Sequence, residues 1–298
     1  MKRRNFIYNT SLIAMSVGVF GKIKWDGKAW VGEDPTTTDI LGPFYRPGAP
    51  FKTDLVQPGT KGQLLHFGGT VFAKNGSTPL KDTLVEVWHC NENGTYDNTS
   101  DDYVYRASAK TGSDGKYHFK TILPVPYGVG GDVIRPAHIH MRISGNSKQD
   151  LVTQVYFKGD ENLAKDDSSA DPRSIHRILD ISTNSKNEKV VKFDIVLKDE
   201  YVLDAAGFKK ISGLYQMKTD NGVMTEFFRQ GDQLFLKRNG QIVEAMDYVG
   251  NNSFEGGLGR IKTTFEIKAD GAVNVKLKFM QDDKYVEVEG EKILKYPA

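Results

Sequence analysis

The chain is short of cysteine, of net charge and of long apolar runs. Its one cysteine, Cys90, excludes an internal disulfide framework. It also excludes any cysteine-based zinc or iron–sulfur cluster held within one chain. Forty Lys and Arg stand against 38 Asp and Glu, a net charge of +2. That balance lacks the basic field on which nucleic-acid binding relies. Long Ala/Leu-rich stretches are few, while Gly (30), Tyr (13) and Phe (16) are plentiful. This mix favours strands and turns over helices. Apolar residues are 39% and charged residues 26%, enough apolar surface to build cores and exclude a disordered chain. A length of 298 residues suggests two domains.

The N-terminus reads as an address. Met1-Lys2-Arg3-Arg4-Asn5-Phe6-Ile7 precedes an apolar stretch from Ser11 to Phe20. A basic start and a short apolar run have the build of an export signal, here residues 1–24, and the stretch is too short for a stable span in the mature chain. Arg3-Arg4 before Phe6 looks like a twin-arginine signal, although no Ala-x-Ala stands before Lys22. The plain alternative is a basic, frayed helix. Export would place the protein in the periplasm or cell envelope.

Two β-rich units follow. Residues 32–58 are rich in Pro, Gly, Thr and Asp and read as an extended arm. Short strand-like runs come next: Leu64–Ala73, Thr83–His89, Gly115–Ile122, Ala137–Ile143, Val152–Phe157 and Val190–Leu197. Asn-Gly and Asp-Gly turns between such runs predict a β-sandwich over 32–204. The charged stretch Asp160–Ser174, with Asp171-Pro172, reads as an exposed loop. A second unit, 208–298, has seven more strand-like runs separated by turns such as Asn239-Gly240 and Asp270-Gly271. It predicts a small antiparallel meander or barrel with its own core. The fold class is therefore all-β, and a chain ending near Asp204 is expected to keep the chemistry.

That chemistry starts from Arg135-Pro136-Ala137-His138-Ile139-His140. On a strand, His138 and His140 share a face, because side chains alternate with a period of two. Two adjacent imidazoles are a good start for a metal site, and a packed pair of hydrogen-bonded histidines is the plain alternative. No His-Glu-x-x-His and no obvious carboxylate partner accompany them. Two tyrosines stand in loops, where functional groups often project. Tyr96 follows Asn91-Glu92-Asn93-Gly94-Thr95, and Tyr127 follows Pro124-Val125-Pro126. Taken singly, each reads as an ordinary half-buried ring.

Taken together, these segments resemble the intradiol ring-cleavage dioxygenases. Glu86 to Tyr96 resembles the first ligand segment, and Pro126-Tyr127 with Arg135-Pro136-Ala137-His138-Ile139-His140 the second. Leu41-Gly42-Pro43-Phe44-Tyr45 resembles the N-terminal pocket segment, and Thr153-Gln154-Val155-Tyr156-Phe157 the strand after the histidines. The resemblance runs from about Thr36 to about Leu197. It covers the protocatechuate 3,4-dioxygenase and catechol 1,2-dioxygenase types alike; having no long helical segment before the arm, unlike the catechol 1,2-dioxygenase branch, the chain is in that respect closer to the protocatechuate type.

The resemblance implies one non-haem Fe(III) held by Tyr96, Tyr127, His138 and His140. Hard ferric iron favours anionic oxygen donors, and phenols lose their proton readily on binding such an ion. It further implies that a catechol binds as a dianion. Tyr127 leaves the metal and takes a substrate proton, Tyr96 stays, and O2 attacks the ring to give a cis,cis-muconate-type diacid. Arg135 would stabilise the carbanion-like ring, and Gln154 would hold Arg135. Ile40, Pro43 and Phe44 would wall the pocket. Cys90 reads as a packed thiol.

The partners expected are a small aromatic diol and O2. The catechol, any homo-oligomer and the role of the second unit stay open; its Ile211-Ser212-Gly213-Leu214-Tyr215 opening faintly resembles small lipocalin-like domains. Two rivals remain at this point: an exported β-sandwich binding or scaffold module without iron, and a zinc hydrolase using the two histidines.

Overall fold

A computed structural model describes residues 35–218, 223–281 and 284–293, with two two-residue strands, Lys24–Trp25 and Trp30–Val31, before them. The proposed export signal lies outside the described residues, apart from the backbone of Lys24. Among the described residues, no helix is long and apolar enough to cross a membrane.

Two five-stranded sheets face each other. The first has the order Ile178–Leu179, Leu151–Phe157, His138–Ser144, Leu84–Trp88, Arg106–Lys110. The second is built on Leu64–Phe72, which pairs with Lys116–Ile122, Lys189–Lys192 and Ile195–Val196. The expected Val190–Leu197 strand is broken in two. At the break Phe193 crosses so close to Gly69 that a Cβ on Gly69 would sit 1.8 Å from the Phe193 carbonyl oxygen.

Period-two alternation decides which side chains of the first sheet face the second. Ile139, Met141, Ile143, Leu151, Val155, Phe157, Val85 and Val87 enter the core between the sheets. Trp88, His138, His140, Arg142, Val152, Gln154 and Tyr156 therefore lie on the opposite face. They are buried as well, so something else covers that face.

The cover is the second unit and the arm. A short helix, Ala205–Ile211, is capped by Asp204, whose carboxylate accepts from Gly207 N. Eight antiparallel strands from Gly213–Met217 to Lys284–Ile293 then close into a barrel, with these two strands paired to each other. Its interior is filled by Phe208, Tyr215, Phe227, Phe254, Phe265 and neighbouring aliphatics. The expected meander or barrel is a closed barrel. It contains one strand the sequence reading passed over, Ser253–Gly256, reached through Asn251-Asn252, both in the left-handed region.

The barrel's outer wall and the sandwich share one apolar cluster. Phe235 and Ala245 of the barrel pack with Leu41, Tyr45, Trp88, Cys90, Tyr96 and Val152. Burying one such aromatic ring contributes roughly 2–3 kcal/mol.

Candidate metal centre

Four side chains converge at one end of the first sheet. His138 and His140 come from one strand, and Tyr96 from the loop after Leu84–Trp88. Tyr127 opens a small hairpin, Tyr127–Gly130 paired with Val133–Arg135, rather than standing in a loop. The Oη atoms of Tyr96 and Tyr127 lie 3.3 and 3.4 Å from His138 Nε2. The rings of His138 and His140 are 4.8 Å apart, centre to centre.

His138 Nδ1 donates to the Pro136 carbonyl at 2.6 Å, which leaves the Nε2 lone pair facing the phenols. His140 is fully buried, and neither of its ring nitrogens has a hydrogen-bond partner. A buried, unpaired imidazole is costly unless it has a ligand. The donor spacing suits metal–ligand bonds of about 2 Å. Two imidazoles and two phenols match a hard, highly charged cation. Among the described residues no group of three His, Cys, Asp or Glu side chains is placed to hold a metal.

Burial opposes ionisation of all four groups. Burial pushes the Tyr96 phenol well above its usual 10, and the neighbouring Tyr127 adds to the effect. Burial also raises Tyr127, although its hydrogen bond with Tyr96 and the charge of Arg135 pull the other way. Burial and the Arg135 charge lower His138 to about 3; burial and His138 lower His140 well below its usual value. Neutral imidazole is the metal-binding form. The phenols need an added positive charge before they ionise.

Arg135 sits beside this cluster, opposite Tyr127 across the hairpin. Its Nε donates to Asp166 Oδ1 at 2.8 Å, and its Nη2 to Gln154 Oε1 at 3.1 Å. Burial works against its charge, but Tyr156, Asp166 and Tyr127 outweigh that and raise its pKa. Gln154 also donates from Nε2 to the Ile40 carbonyl at 2.7 Å. Behind Gln154, Tyr156 Oη donates to Asp39 at 2.9 Å, and Asp39 is paired with the buried Arg177.

The pocket segment is used unevenly. Phe44 stacks on Tyr96 with centroids 4.2 Å apart and meets Tyr127 edge-on. Pro43 is exposed, and the side chain of Ile40 points toward Gly257 of the barrel. Cys90 is buried and donates weakly to the Val125 carbonyl at 3.5 Å.

Sequence reasoning missed several residues around the centre. The exposed loop expected over Asp160–Ser174 instead buries Asn162, Asp166, Ser168 and Ser169, and Asp166 turns inward because Arg135 needs a counter-charge. Arg106 is buried and donates to the carbonyls of Asp97 and Phe44. Trp88 stacks on His140, with centroids 5.0 Å apart and planes 4° from parallel.

The chain is similar to known dioxygenases. Residues 40–199 match the family described as Dioxygenase. Over 189 residues the chain is 32% identical to the chlorocatechol 1,2-dioxygenase of Rhodococcus opacus, covering 55% of this chain and 72% of that protein. Over 160 residues it is 37% identical to catechol 1,2-dioxygenase 2 of Acinetobacter lwoffii, covering 47% of this chain and 58% of that one. The match thus spans less than two thirds of several curated relatives. The crystal structure of catechol 1,2-dioxygenase from Acinetobacter radioresistens superposes with a TM-score of 0.51 at 26% identity, over 57% of this chain and 64% of that one.

The β-sandwich is that of a ring-cleaving dioxygenase. The chain belongs to the intradiol ring-cleavage dioxygenase family. These relatives carry chlorocatechol and catechol 1,2-dioxygenase names. The family match ends at residue 199, before the helix and barrel.

Proposed function

We propose that the chain carries out Fe(III)-dependent intradiol cleavage of a catechol-type aromatic by O2, giving a cis,cis-muconate-type diacid. The observation that supports this most is the meeting of both phenol oxygens at His138 Nε2, beside a buried His140 whose nitrogens have no protein partner. Ferric iron held by Tyr96, Tyr127, His138 and His140 would chelate both catechol oxygens and make the ring reactive toward O2.

The chain's own side chains divide the remaining work. Tyr96 is buried beneath Phe44 and is the fixed phenolate. Tyr127 is half-buried at the start of an exposed hairpin and would be the phenol that leaves and accepts a substrate proton on Oη. Arg135 holds a fixed positive charge next to Tyr127, where negative charge builds on the ring. Asp166 and Gln154 keep that guanidinium in place. Phe44 presents an apolar wall to an aromatic ring and sheds water from Tyr96.

Residues 1–24 are the proposed export signal, with the periplasm or cell envelope as the place of action. Oxygen uptake by iron-loaded protein against a panel of catechol, chlorocatechols, hydroxyquinol and protocatechuate tests the activity. One O2 consumed per catechol with a muconate-type absorbance supports the proposal. No uptake with any of them by fully loaded protein contradicts it.

A further inference from the structure

His138 and His140 are held by different means. The ring of His138 is oriented by its Nδ1 hydrogen bond to Pro136. His140 has no such bond, so packing alone sets its ring plane. One packing surface is the Trp88 indole, stacked parallel to it. Another is the backbone at Gly42, where a Cβ would stand 3.1 Å from His140 Cε1, and the His138 and Tyr96 rings meet His140 edge-on.

The Trp88 and Gly42 surfaces are both backed by the barrel. Trp88 rests on Tyr45, centroids 5.1 Å apart, and Tyr45 rests on Phe235, 5.8 Å apart. Gln230 Nε2 donates to Tyr45 Oη at 2.8 Å. Beside Gly42, the backbone N–H of Leu41 donates to Glu244 Oε1 at 3.3 Å. Phe235, Gln230 and Glu244 all belong to barrel strands. Phe235 is fully buried, yet it packs in the cluster shared with the sandwich rather than in the barrel interior.

We infer that the barrel is a buttress of the metal centre, and that Phe235 is a positioning residue that fixes the ring plane of His140 through Tyr45 and Trp88. This rests on the iron site proposed above. It replaces the expectation of an independent second unit, since ending the chain near Asp204 would strip the support from Tyr45 and Leu41.

The test compares full-length, iron-loaded wild type with Phe235→Ala, Phe235→Leu and Phe265→Leu. Phe265 is buried in the barrel interior, so its variant weakens the barrel without touching the buttress. The readouts are the rate of iron loss to a chelator, the tyrosinate-to-iron absorption band and the melting temperature. Loss of an outer-shell support costs on the order of tenfold in metal affinity. Phe235→Ala should lose iron about tenfold faster, with a shifted band, and Phe235→Leu should recover most of the difference. Phe265→Leu should melt lower with an unchanged band and iron-loss rate. Should Phe235→Ala fail to fold, Gln230→Leu, which removes only the bond to Tyr45, should show the same shift in smaller measure. Equal iron loss and an identical band in wild type and the position-235 or position-230 variants overturns the buttress while leaving the iron site standing. So does a Phe265→Leu variant that loses iron as fast as Phe235→Ala. A wild type that takes up no iron overturns both readings.

Discussion

Replacing Glu244 by Gln should remove a pH dependence of stability that its burial builds into the join between barrel and sandwich. Glu244 is 2% exposed and accepts from the backbone N–H groups of Leu41 and Ala245. Burial pushes its pKa from 4.5 up to about 8, against those hydrogen bonds, and the charge of Asp39 adds to the rise. The folded protein therefore keeps this proton over a range where the unfolded chain has lost it. Stability falls as pH rises wherever the folded state binds more protons. The stabilising contribution is complete below about pH 4.5 and is lost as pH climbs through about 8. At one full proton the slope is about 1.4 kcal/mol per pH unit, so the upper bound across this window is about 5 kcal/mol. Asp150, raised to about 6 chiefly by burial despite the pull of Arg142, adds a smaller slope of the same sign. Glu244→Gln keeps an oxygen for Leu41 and mimics the protonated acid. Urea unfolding at pH 5, 6, 7 and 8.5, followed by barrel and sandwich probes separately because two domains need not unfold together, should show near-equal stability at pH 5. The variant should be ahead by about 3 kcal/mol at pH 8.5. Parallel curves for the two proteins across that range would refute the reasoning.

Other outcomes follow from the centre itself. Tyr96→Phe should impair iron retention, whereas Tyr127→Phe should keep more iron and lose turnover, because only Tyr127 is placed to take the proton; identical behaviour in iron analysis and oxygen uptake would cancel the division of roles. Asp166→Asn should lower kcat about 10–100-fold with the visible band nearly unchanged, since it frees Arg135 rather than a ligand; a bleached band would show that Asp166 acts on the metal instead. Arg3→Lys with Arg4→Lys should hold folded, coloured protein in the cytoplasm, and an unaltered distribution between cell fractions would count against the twin-arginine reading.

The sandwich and the histidine pair were legible because each leaves a local mark, whereas Tyr96 and Tyr127 stood out only through the family resemblance. Alternating runs between Asn-Gly and Asp-Gly turns mark strands, and His138-x-His140 fixes a shared face before any tertiary contact is known. Of the supports, only Gln154 was legible, through the resemblance, and it does hold Arg135; the others were not, because they are long-range. Asp166 stands 31 residues from Arg135 in the chain, and nothing near it distinguishes it from a solvated loop carboxylate. Arg177 and Asp39 pair across 138 residues. One sign of the domain interface was present and passed over. Leu234-Phe235-Leu236 is apolar without alternation, which in a closed barrel means that the wall is covered outside as well as inside. Trp88 in Leu84–Trp88 carried the same message: a large ring on the face that a two-layer sandwich would leave to water.

The central claim is that Tyr96, Tyr127, His138 and His140 hold one ferric ion. Iron analysis combined with the visible spectrum of the full-length protein tests it most directly, with His140→Ala prepared in parallel. One iron per chain, with a tyrosinate charge-transfer band that is lost or strongly shifted in His140→Ala, is the result predicted. Protein that stays colourless after aerobic iron loading, or a band unaltered when His140 is removed, would contradict it.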